Sequence, residues 1–211
     1  MKRIVFYTAV VVGLIGCGGG GSNNGSDNSS AVKIISEDSF NMAPSVSQSQ
    51  INERLKAIND ERDKKHNCGG QQMGPSPHVS WSKELYLASA EHNYDMAKSN
   101  IIDKKHRGSN TQYDWTKVVQ NLKHASYVQE RVENNGYTNW KGLTENLTAG
   151  YINKDSNKPI NTPQRAVQQW LNSPGHCKNL MDPSVDEVGM AYLHDTSGTY
   201  NHYWTQNFGK R

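Results

Sequence analysis

The sequence has no apolar run long enough to cross a bilayer. Its longest, Ile4 to Ile15, is shorter than the about 20 residues a spanning helix needs. A strong charge of one sign is missing too: the formal net charge is +3, and the basic residues are scattered apart from Lys104, Lys105 and Arg107. No basic stripe with interleaved aromatics exists, which argues against a nucleic-acid partner. There is no His-Glu-x-x-His, no Walker loop, no dinucleotide fingerprint and no serine in a Gly-x-Ser-x-Gly elbow. Internal repeats are absent. Cysteine is scarce, at three residues in 211.

What is present begins at the N-terminus. Lys2 and Arg3 precede the apolar run, the layout of a secretory signal. The run ends Leu14-Ile15-Gly16-Cys17, which resembles a bacterial lipobox: an aliphatic residue, a small residue, then the cysteine that is acylated. Residues 1–16 therefore read as a lipoprotein signal peptide, with Cys17 as the lipidation site and palmitate among its acyl chains. Residues 17–46, opening on Gly18-Gly19-Gly20-Gly21-Ser22, read as a linker with a root-mean-square reach of about 30 Å. Residues 47–211 have the size of a single domain. The expected address is the bacterial cell envelope, extracytoplasmic and lipid-anchored. Gly18 lacks the aspartate of inner-membrane retention, which favours the outer membrane where two membranes exist.

With Cys17 lipidated, Cys68 and Cys177 remain. An oxidising compartment favours a disulfide between them, and so long a loop would gain about 4–5 kcal/mol from closure in the chain-entropy picture. The alternative is zinc held by both cysteines with His66 and His176, although neither pair has a standard zinc spacing.

Along the domain, Ile51, Leu55 and Ile58 predict a helix over 48–65, followed by a loop over 66–77. Ser82 caps a second helix, 82–99, with Leu85, Ala88, His92 and Met96 on one stripe and Ala88 and Ala90 small enough for close approach. Residues 101–126 show little periodicity. A third helix covers 127–134 and ends at Gly136; a strand covers 145–152. Thr162-Pro163 opens a helix that stops at Ser173-Pro174-Gly175. Two strands, 188–193 and 200–208, come last. Helices first and strands late indicate α+β.

The order of the motifs goes further. His106 in Lys-Lys-His-Arg-Gly precedes Glu145-Asn146-Leu147. Next comes Trp170-Leu171-Asn172-Ser173-Pro174-Gly175-His176-Cys177-Lys178-Asn179, then Val188-Gly189-Met190 and Trp204-Thr205-Gln206-Asn207. This succession resembles the CAP superfamily (cysteine-rich secretory, antigen five and pathogenesis-related proteins; the SCP domain), in its bacterial branch, over about 48–210. The resemblance implies a three-layer α-β-α sandwich with a central antiparallel sheet. It also implies a ligand cleft holding His106, Glu145 and His176. Leu143-Thr144 departs from the family, which has glycine directly before this glutamate. A second family glutamate is missing near Asn172 and Ser173, which weakens any strong cation site.

Two imidazoles suit zinc or another divalent cation, so His106 and His176 are also candidate metal ligands. Asn146 and Asn179 are expected to tie loops together. His92, Trp81, Trp170 and Trp204 are expected in the core. The leading expectation is an envelope-located binding module whose cleft takes a lipid, glycan or peptide ligand, or a cation. Its rival is a metal-assisted hydrolase of peptide or envelope substrates, with Glu145 as base. A structural or interaction domain with a vestigial cleft is the third reading.

Overall fold

A computed structural model describes residues 39–153 and 157–211. Cys17, the signal peptide and the linker before residue 39 lie outside the described residues. Among the described residues the helices are α1 (Gln48–Arg62), α2 (Lys83–Ser99), α3 (Trp115–Val119), α4 (Val128–Asn134), α5 (Pro163–Leu171) and α6 (Pro174–Leu180). The strands are β1 (His66–Cys68), β2 (Gln71–Met73), β3 (Ser80–Trp81), β4 (Gly142–Gly150), β5 (Ile152–Asn153), β6 (Lys158–Pro159), β7 (Glu187–His194) and β8 (His202–Lys210). No helix among the described residues is long and apolar enough to cross a membrane.

Local chemistry sets most helix ends. Ser47 and Gln50 form a capping box at α1. The Ser82 hydroxyl accepts from Leu85 N at the start of α2, which ends on Asn100 in the left-handed region, φ 59°. Thr162 caps α5, with Pro163 at its first position. Three expectations need correction. The 66–77 loop contains the β1–β2 hairpin, and the aperiodic stretch contains α3. Ser173-Pro174-Gly175 does end α5, but Pro174 opens α6, because proline's missing N–H costs nothing in a first turn.

The main sheet runs β3-β7-β8-β4. Its three long strands are antiparallel, and β3 adds a two-residue parallel edge. Side chains alternate across it. On one face Val188, Met190, Trp204 and Phe208 pack with Ile58 of α1, Trp170 of α5 and Leu180 of α6. Arg62 is buried at this end and ties loops by donating to Pro77 O at 2.7 Å, Leu180 O at 2.7 Å and Asp182 O at 3.0 Å. On the other face lies α2, closest at Gly189, where an added Cβ would stand 2.0 Å from Tyr86 N. The result is helix, sheet and helix in layers, an α+β sandwich.

Cys68 and Cys177 form a disulfide, Cα atoms 5.4 Å apart, tying α6 to the β1–β2 hairpin. The zinc alternative falls with it, and His66 instead sits 3.0 Å from Glu61 O. The end of the expected linker is also corrected. Phe40 is buried against Tyr94 and Trp115, and the Tyr86 hydroxyl donates to Pro44 O at 2.5 Å. An aromatic facing two others has more to gain from burial than a polar coil does. Trp170 and Trp204 are core as expected, whereas Trp81 is half-buried between two clusters.

Candidate functional site

Glu145 lies on β4, the edge strand, opposite Asn207 of β8. Its carboxylate points to the α2 side, where His106 Nδ1 stands 3.1 Å from Oε1. Asn146, next along the strand, points to the α6 side and donates to His176 O at 3.1 Å. Asn179 donates to Glu145 O at 3.0 Å and to Asn146 Oδ1 at 3.1 Å. The two asparagines thus fasten α6 to the edge of the sheet. His106 and His176 arrive from opposite faces and meet around this edge, ring centres 6.0 Å apart and planes at 59°.

His106 has a left-handed backbone, φ 59°, which few residues other than glycine adopt. Its loop has little apolar anchorage and is held by carboxylates instead. Asp95 of α2 accepts from Ser109 N at 2.6 Å and from the Ser109 hydroxyl. Glu91 of α2 accepts from Thr116 N at 2.8 Å, and Asp114 from Ser126 N at 2.9 Å. Gly108 is required here, since a Cβ would stand 2.2 Å from Asp114 Oδ2.

Arg131 on α4 organises the centre. One Nη donates to both Glu145 oxygens, at 3.1 and 3.0 Å, and to His106 O at 3.0 Å; the other donates to Ser126 O at 3.1 Å. Both Arg131 and Glu145 are buried. Burial alone would push the Glu145 carboxyl up. The Arg131 charge, with His92 and His106, outweighs it and holds the carboxyl down at about 2. Glu145 is an anion at neutral pH.

His92 is 1 % exposed, with Nε2 3.8 Å from Glu145 Oε1 and neither ring nitrogen hydrogen-bonded among the described residues. Burial and then Arg131 push it down to about 3, so its ring is neutral. His176 is lowered as well, by burial and then by His106.

The sequence reading missed Arg131. The signal was there: Val128, Arg131, Val132 and Asn135 share one helical stripe, so the arginine sits where an inward-facing residue belongs. A charge in that stripe needs a buried partner.

The fit to a metal is incomplete. Among the described residues no group of three or more His, Cys, Asp and Glu side chains is arranged to hold an ion. The converging donors are two imidazoles, while Glu145 is committed to Arg131; resident zinc takes three or four protein ligands. The arrangement instead offers two rings that meet around the edge of the sheet, one oriented from behind by an ionised carboxylate.

Comparison with known proteins bears on the fold. A family model described as the cysteine-rich secretory protein family, CAP, matches residues 55–208. The uncharacterized protein YkwD of Bacillus subtilis (strain 168) is 38% identical over 47 residues, 22% of this chain and 16% of that protein. An outer surface protein from Borrelia burgdorferi has a similar structure, with a TM-score of 0.54 at 18% identity over 81% of this chain and 99% of that one. An extracellular protein containing a SCP domain from Bacillus anthracis str. Ames gives 0.49 at 19% identity, over 80% of this chain and 45% of that one. The chain thus spans less than half the length of two of these relatives.

Proposed function

The chain belongs to the cysteine-rich secretory protein (CAP) family, and from that premise we propose that it is an exported, lipid-anchored binding module of the cell envelope. Its ligand would be a polar envelope component, a glycan or peptide, held by hydrogen bonds at the mouth formed by His106 and His176. The observation that carries this reading is the commitment of Glu145. Its charge is neutralised by Arg131 behind the cleft, so the carboxylate orients His106 and leaves the outward imidazole nitrogens for a ligand. A divalent cation would be a weakly held visitor here.

Binding of cell-wall fragments and of zinc should be titrated by calorimetry with wild type and the His106→Ala/His176→Ala pair. Loss of the wall-fragment heat in the double variant supports the reading; equal heats in both proteins sink it. The anchor is tested by labelled palmitate: incorporation and membrane fractionation should vanish in Cys17→Ala.

One observation favours a second reading. A carboxylate hydrogen-bonded to imidazole Nδ1 is the arrangement that orients a general base. Hydrolysis of peptide, ester or cell-wall substrates, lost in His106→Ala, would replace binding by catalysis.

A further inference from the structure

The histidine pair has a neighbour along its edge of the sheet. Beyond Glu145, the next residues of β4 to face α2 are Leu147 and Ala149. Four residues of strand put about 13 Å between Glu145 and Ala149. The loop beside β4 covers the same span. Ile102 packs in the cluster of Leu147, Ala149 and Tyr203 at one end, and His106 meets Glu145 at the other. At the Ile102 end lies a hollow of about 180 Å³, walled by Met96, Asn100, Ile102, Thr199, Tyr200 and Tyr203. A pocket that encloses a whole small ligand holds about 300 Å³ or more, so this hollow fits one ring of a longer molecule.

The hollow combines ring faces with a free donor. Tyr200 stands between Tyr151 and Tyr203, with ring centres 5.8 and 6.5 Å away and planes at 61° and 71°. Its N–H donates to the Tyr203 hydroxyl at 3.2 Å, and the Tyr151 hydroxyl donates to Thr199 O. The rings are thus held before any ligand arrives. Tyr151 is nevertheless 52% exposed, so its ring is available to be covered. Asn100 Oδ1 accepts from Thr199 N at 2.6 Å and from the Thr199 hydroxyl at 3.2 Å. A backbone N–H can only donate, so the amide orientation is fixed, and its NH₂ group has no protein partner among the described residues.

A peptide would gain most by adding a strand to an open sheet edge. Glu145 O on the edge strand is already occupied by Asn179, so that ladder is blocked beside the histidines. A sugar chain needs no ladder: its C–H faces lie on aromatic rings, and its hydroxyls pair with amides and imidazoles. Resting on the cleft reading above, we infer that the ligand is a linear glycan and that the Tyr200 hollow is its second subsite. One sugar ring sits in the hollow against Tyr151, with a hydroxyl on the Asn100 amide. The chain continues along β4 to the pair His106 and His176.

The test is calorimetry on the purified full chain with chitotetraose, its monomer N-acetylglucosamine and a cell-wall stem peptide. Chitotetraose should bind saturably, about tenfold or more tighter than the monomer, because one chain fills both subsites. Tyr151→Ala should weaken the tetramer about tenfold, and Tyr151→Phe, which keeps the ring, should retain most of the affinity. His106→Ala/His176→Ala should weaken the tetramer as well. Tetramer affinity that falls in the histidine pair but not in a folded Tyr151→Ala overturns the subsite and leaves the cleft reading standing. A fall in Tyr151→Ala alone upholds the subsite and sinks the cleft reading instead. A tetramer that binds no tighter than the monomer overturns the proposal. Saturable binding of the stem peptide without binding of chitotetraose also overturns it, by making the edge a peptide site.

Discussion

Along β8 the residues alternate between two kinds of interior. Trp204 and Phe208 enter a dry layer with Trp170, Ile58, Met190 and Leu180. Thr205 and Asn207 enter a layer of hydrogen bonds on the other side, Thr205 to Asn93 at 2.8 Å and Asn207 to Ser89 at 2.9 Å. That second layer also buries Glu91, His92, Asp95, Arg131 and Glu145. The first layer supplies stability through apolar area removed from water. The second contributes less per residue but is directional, and it aims the aperiodic loop that carries His106. Stability and the aim of the His106 loop are thus assigned to opposite faces of one sheet, while His176 is held from the α6 side through Asn146.

The sharpest way to break this division is to empty the dry face. Trp170 is fully buried at its centre, so Trp170→Ala should cost about 3–5 kcal/mol by urea unfolding. The loss should be independent of pH, because the cluster around it is built from apolar side chains. A strong pH dependence of the loss would mean that the two faces are not separable.

On the polar face the largest effect belongs to Arg131. Arg131→Met leaves Glu145 buried without its counter-charge, at a cost of about 3 kcal/mol near neutral pH. This loss should depend on pH. The Glu145 carboxyl is depressed to about 2 from 4.5, so its stabilisation is complete above 4.5 and disappears as pH falls towards 2. The gap between variant and wild type should therefore narrow at pH 3. A constant gap would show that Arg131 acts through packing alone.

The two faces also differ in how well the sequence displayed them. The dry face was legible because its residues obey periodicity: Ile58 on α1, Ala166, Val167 and Trp170 on α5, and the alternation of β7 and β8. The short motifs around His106, Glu145 and His176 were legible through their order, and the structure does bring the three together. The polar layer was not legible, since its members satisfy one another only across long separations. Arg131 reaches Glu145, and Thr116 reaches Glu91. No local window contains both partners. Phe40 was missed for the same reason: its neighbours Tyr94 and Trp115 lie far along the chain.

Glu91 offers a smaller effect of opposite sign. Burial raises its carboxyl from 4.5 to about 7, despite hydrogen bonds from Thr116 and the charge of Arg131. The folded chain then holds a proton that the unfolded chain releases. Its contribution is full below 4.5 and is lost as pH rises towards 7. Asp95, raised by burial to about 6, acts in the same direction. Glu91→Gln cannot ionise, so its Tm should fall less than that of wild type between pH 5 and 8. An unchanged slope would place the titration elsewhere.

The smallest effect at neutral pH is expected at His92, the neighbour of Glu91 on α2. Its ring nitrogens make no hydrogen bond among the described residues, so His92→Leu, which is similar in volume, removes no bond seen there and should cost less than about 1 kcal/mol at pH 7.5. In acid the substitution should help. Burial depresses the ring from 6.5 to about 3, so wild type holds this stability above 6.5 and loses it as pH falls towards 3. Leucine has no such loss, and the variant should gain on wild type at pH 5 in urea midpoints. A cost of several kcal/mol at pH 7.5 would instead mean that His92 is bonded through water to Glu145, 3.8 Å away. The histidine would then join Arg131 as a member of the layer that aims the His106 loop. A small cost leaves that task to Arg131 and the α2 carboxylates.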